Sequence, residues 1–150
     1  MYNESLAILR FLGAQHGYYP DDIFIAQDAD ATVDFANDFM VLYKPHMTNE
    51  HTDETKKEYA EKITKFCEFF EKKLTKSGNN FINHSKLTIG DFHVAAVLFN
   101  FVYNDSLGGG ADYSNCGKEI IAKHAKFSAY VERLTAELKP YLEKRGSYIF

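Results

Sequence analysis

Tryptophan is absent from these 150 residues, cysteine occurs twice, and no apolar run approaches the ~20 residues needed to cross a bilayer. Two thiols, Cys67 and Cys116, cannot build a disulfide framework, so a reducing compartment, the cytoplasm or one like it, is expected. Neither thiol sits in a setting that would lower its pKa, so neither reads as a nucleophile. Basic residues are not in excess: 17 Lys and Arg stand against 21 Asp and Glu, for a net charge of -4. That balance offers no field to attract nucleic acid or an anionic membrane surface. A basic n-region and a cleavage site are missing from the first residues, so no signal peptide is expected. Internal repeats, low-complexity tracts and domain linkers are also missing.

What the chain has is bulk. Thirteen Phe and ten Tyr supply large apolar bodies, and the length suits one domain with a sizeable core. The apolar positions recur at helical spacing, and the chain reads as all-α. Ser5 opens a helix over roughly 5–15, with Ser5 as a candidate N-cap and Gly13 and Gly17 as candidate stops. That helix is apolar almost all round (Leu6, Ala7, Ile8, Leu9, Phe11, Leu12), so it calls for cover on more than one side.

A second helix spans about 25–43, with Val33, Ala36, Met40 and Tyr43 on one apolar face. Phe35, Phe39 and Leu42 widen that face, and Asp30, Asp34 and Asp38 form an acidic stripe. Pro45 ends it. A third helix spans about 53–76, with Thr52 as cap and Gly78 as stop; Tyr59, Ile63, Phe66, Cys67, Phe70 and Leu74 form its buried face.

After a short extended stretch at Phe81-Ile82 comes the strongest entry signal. Thr88 at N-cap and Asp91 at N3 form a capping box, and Leu87 and Phe92 hold the positions of a hydrophobic staple. Phe92 to Tyr103 reads as a central buried helix, interrupted by His93 and Asn100. A loop is expected over 105–114, including Gly108-Gly109-Gly110. Beyond it, a helix broken near Ala125 runs to Leu138, and a separate short helix is expected over 140–144.

In this order the landmarks resemble the C-terminal domain of the cytosolic glutathione S-transferases, in a sigma-like form. Glu4-Ser5-Leu6-Ala7-Ile8-Leu9-Arg10-Phe11-Leu12 is similar to the family's Gln-Ser-x-Ala-Ile-x-Arg-Tyr-Leu segment. Asp34-Phe35-Ala36-Asn37-Asp38 resembles its acidic long helix, and Leu87 to Phe92 its capping box. Phe127 to Leu134 resembles its penultimate helix. The resemblance implies a helical bundle of five or six helices over 17–150, preceded over 1–16 by the last helix of a thioredoxin-like domain.

It also implies roles. Ser5 would hold the γ-glutamyl carboxylate of glutathione, Asp38 would reach across a dimer to the ligand's ammonium group, and Tyr43 would line the hydrophobic substrate site. Thr88 and Asp91 read as structural. Glu4 stands where the family has Gln, and 107–112 departs from its pattern. The family's thiol-activating residue lies in the thioredoxin-like domain, so these residues are expected to have no catalytic group of their own.

Other signals point elsewhere and weigh less. Asp28-Ala29-Asp30-Ala31-Thr32 matches the aspartyl-phosphate phosphatase string, which has to follow a parallel strand. His46 and His51 lack a metal-ligand pattern, and no metal or cofactor is expected beyond glutathione as a possible ligand. His93 reads as a satisfied interior histidine rather than a haem ligand. Gly108 to Gly110 lacks the Lys-Ser/Thr of a phosphate loop. The expected function is that of a non-catalytic structural or interaction subunit, pairing with a protein partner or a second copy through 5–15 and 25–43. The alternative is the C-terminal part of an active glutathione transferase.

Overall fold

The computed structural model describes residues 3–43, 52–78, 80–104 and 110–145. Among these, every regular element is helical: α1 (Ser5–His16), α2 (Ile23–Tyr43), α3 (Asp53–Ser77), α4 (Ile89–Val97), α5 (Gly110–Ala122) and α6 (Ala125–Leu142). A π-helical segment, Leu98–Val102, continues α4. No helix among the described residues is long and apolar enough to cross a membrane.

α3 forms as its sequence dictates. Thr52 and Thr55 close a capping box at its start, and Gly78, at φ 66°, closes its end. All six residues on its expected face are buried. They meet α6 in a ladder of rings: Phe70 stacks on Phe127 at 5.7 Å, and Phe127 on Tyr130 at 5.8 Å. α6 begins without a cap of its own, and Glu71 of α3 serves instead. Its carboxylate accepts from the Phe127 N–H at 2.7 Å and the Lys126 N–H at 3.3 Å, satisfying donors at the helix start.

α4 is the buried centre. The Thr88–Asp91 capping box is present, with Asp91 accepting the Thr88 N–H at 2.8 Å. Asp91 goes further than a cap. The same carboxylate accepts the Ile82 N–H and the Tyr130 hydroxyl, each at 3.0 Å, and so ties the 80s loop and α6 to α4. Burial pushes its pKa up, against four hydrogen bonds that favour the charged form. The Tyr130 phenol is driven well above its ordinary value by the same burial and by Asp91.

Five expectations are corrected. Ser5 is not the N-cap of α1: that position falls to Glu4, with φ 65° and no side-chain cap bond. Gly17, at φ 77°, stops α1, while Gly13 lies inside it and is buried. A Cβ on Gly13 would run into the Ile89 side chain, so this glycine sets how closely α1 approaches α4. α5 already starts at Gly110 inside the expected loop, and no separate helix forms over 140–144. α6 runs through Pro140, because the Ala136 carbonyl that the proline leaves unpaired lies on an exposed turn open to water. Finally, Phe81-Ile82 is a bend, its backbone taken up by Asp91. Pro45, His46, His51, Gly108 and Gly109 lie outside the described residues.

Candidate functional site

The region singled out by the sequence is where α1 lies against α2. Arg10 joins them: its Nε donates to Asp30 at 2.7 Å and its Nη2 to Asp34 at 2.9 Å. Tyr19 adds a hydroxyl bond to Asp30 at 2.6 Å. These bonds, Asp30 first, raise the Arg10 and Tyr19 pKa values. Arg10 on α1 and Tyr19 on the connector thus converge on Asp30 of α2. The acidic stripe is therefore partly consumed in holding α1. Asp38, one turn further, is exposed and has no partner among the described residues.

Ser5 is exposed at the first turn of α1, where helix geometry leaves the leading N–H groups without intrahelical acceptors. The Ile8 N–H is the first to be taken up, by the Glu4 carbonyl at 3.0 Å. Among the described residues no bond joins Ser5 to Asp38. Tyr43 ends α2, and its side chain lies outside the described residues. Backbone donors and a positive helix end favour an anion at Ser5; the preceding Glu4 carboxylate opposes one.

Beneath this surface lies a group the sequence reading misjudged. His93 is buried, yet among the described residues its Nε2 has no hydrogen-bond partner, so it is not the satisfied interior histidine expected. Burial lowers its pKa below 6.5; Asp34 works against that shift and Arg10 adds to it. The periodicity placed His93 inside but carried no information on its partners.

The phosphatase-like string has another use. It sits within α2, where Asp28 pairs with Lys73 at 2.8 Å and Thr32 accepts from Lys73 at 2.6 Å. Asn83 donates to both Asp28 and Thr32, and Thr88 donates to Asn83. This network locks α2 to α3 and to the entry of α4. Neither cysteine is activated: burial pushes the Cys67 thiol up to about 12 and also raises Cys116. Among the described residues no cluster of His, Cys, Asp and Glu could hold a metal ion.

The fold and this helix pair define a class, and comparison with known proteins names it. The family model for the glutathione S-transferase C-terminal domain matches residues 33–145, and the chain belongs to that family. Glutathione S-transferase 2 of Manduca sexta is 32% identical over 109 residues, covering 67% of this chain and 51% of its own length. The chain thus spans about half of that curated relative. Among solved structures, the glutathione S-transferase Blo t 8 superposes with a TM-score of 0.78 at 20% identity, covering 99% of this chain and 67% of that one. Prostaglandin synthase D of Nilaparvata lugens gives 0.70 at 21% identity, covering 96% and 69%. At these identities the structural likeness speaks for the fold.

Proposed function

We propose that these 150 residues act as a glutathione-transferase-like structural or interaction module and do not by themselves catalyse glutathione transfer. The observation that carries this reading is the uneven cover of α1. Its inner side rests on α2 and α4 through Leu6 and Leu9, with Tyr19 of the connector beside them, while Phe11 and Leu12 remain 48% and 44% exposed. Burying such side chains fully gains up to roughly 1.5–3 kcal/mol each, so a half-exposed pair of this kind marks a contact surface.

The test is the native mass of the protein in extracts of its own cells, compared with a Phe11→Ser/Leu12→Ser variant. An assembly larger than 17.2 kDa that the variant loses is the expected result. A monomer in both cases defeats the reading.

A second reading is favoured by the open start of α1. In it the chain is part of an active glutathione transferase, with Ser5 and Asp38 holding glutathione, Asp38 across a dimer, and Tyr43 lining the site for the electrophile. Calorimetric titration with millimolar glutathione, repeated on Ser5→Ala and Asp38→Ala, tests it. Binding weakened by both substitutions supports this reading, and no heat counts against it.

A further inference from the structure

At the opposite end of α1 the chain turns through 17–22 into α2, and this corner carries an unexplained apolar projection. Ile23 and Phe24, the first residues of α2, are 76% and 82% exposed, more than any other large apolar side chains described. They are held out rigidly, because Asp22 caps α2 by accepting the Phe24 N–H at 2.9 Å and the Ile25 N–H at 3.1 Å. Beside the projection lies a cleft of about 270 Å³ between segment 17–25 and segment 84–88. A dry cavity of ~150 Å³ already admits a benzene ring, so this cleft has room for a phenylalanine side chain.

The two walls are oppositely charged. Asp21 and Asp22 stand on the wall that carries Phe24 and Lys86 stands on the other, with Tyr18 and Leu87 also in the lining. Among the described residues neither Asp21 nor Lys86 has an ion-pair partner.

We infer that this corner is a self-complementary docking surface whose occupant is a second copy of the chain, with Phe24 of each copy seated in the other's cleft. A projection and a recess on one surface satisfy each other reciprocally under two-fold rotation, as an isologous contact requires. The charges agree. The wall that brings Phe24 into the partner's cleft is acidic, and the far wall it meets there is basic. The patch is small, so the contact is a weak, reversible one. It deepens the interaction-module reading by naming one partner, and it lies apart from Phe11 and Leu12 on α1.

Sedimentation velocity of the full chain across a wide concentration range tests it. Reversible dimerisation is expected, weakened roughly tenfold or more by Phe24→Ser, in line with loss of an interface anchor. Phe24 lies mostly in solvent, so the fold survives, and a thermal melt verifies that. Asp21→Lys and Lys86→Asp each weaken the dimer, and the two together restore it. A monomer at every concentration overturns the proposal, as does a Phe24→Ser variant that associates like the parent, or a double exchange no tighter than the singles. Association lost in Phe11→Ser/Leu12→Ser but kept in Phe24→Ser also overturns it, and leaves the interaction-module reading standing.

Discussion

The block formed by α2 to α6 and the strip formed by α1 against α2 and α4 are built on different principles. The block is held by volume. Its core joins two dozen buried side chains, with Phe66, Phe70, Phe127 and Tyr130 in ring contact. The strip rests on only three small or branched buried residues, Ala29, Val33 and Ile89, with Leu6, Leu9 and Tyr19 half-covered against them. What the strip lacks in volume it makes up in polar ties: Arg10 to two aspartates, Tyr19 to one of them, and the Ile89 N–H to the Tyr18 carbonyl at 3.0 Å. Close-packed apolar volume resists local opening, while half-wet ion pairs resist it poorly. The block can thus stay folded while the strip opens, and this is the property a docking segment needs.

The contrast can be broken hardest at Asp91. Asp91→Ala leaves the Ile82 and Thr88 N–H groups and the Tyr130 hydroxyl without their acceptor, an expected loss of about 3–5 kcal/mol. Urea unfolding followed by circular dichroism measures it, and the block should lose cooperativity together with the strip. Gly13→Ala acts on the strip alone. The new methyl meets the Ile89 side chain, and a cost of about 1–3 kcal/mol is expected. Hydrogen exchange should show α1 losing protection while α3 and α6 keep theirs.

His93 sharpens the comparison through pH. Its folded pKa lies below 6.5, so the unfolded chain takes up a proton that the folded chain refuses. The stability it confers is complete above 6.5 and falls away as pH drops through the lowered folded value. His93→Leu should flatten that decline, read from urea midpoints at a series of pH values. Arg10→Gln has the smallest expected effect, about 0–1 kcal/mol, since both ion pairs are partly solvated. Its signature is faster exchange confined to α1.

Much of the block was legible because its signals are local and periodic. The face of α3 and the capping box of α4 follow from spacing alone, and the break before α6 is at 123–124 where the pattern falters. The strip was less legible because its determinants are relations between distant residues. Nothing near Gly13 announces that Ile89 lies beneath it, and the string around Asp28 reads equally well as chemistry or as a brace for Lys73. The proline at 140 misled because its cost depends on whether the carbonyl it frees is wet. In the candidate site, Ser5 and Asp38 are proposed through family resemblance, while the lone Nε2 of His93 could be found only from the packing around it.

The Tyr18 carbonyl has a further consequence. By receiving the Ile89 N–H it completes the first turn of the central helix from outside that helix, one backbone group reaching across seventy positions of sequence. Trimming the chain to start at α2 would therefore fray the middle of the bundle as well as shorten its edge. Anything that grips or releases α1 would be sensed at the molecule's centre.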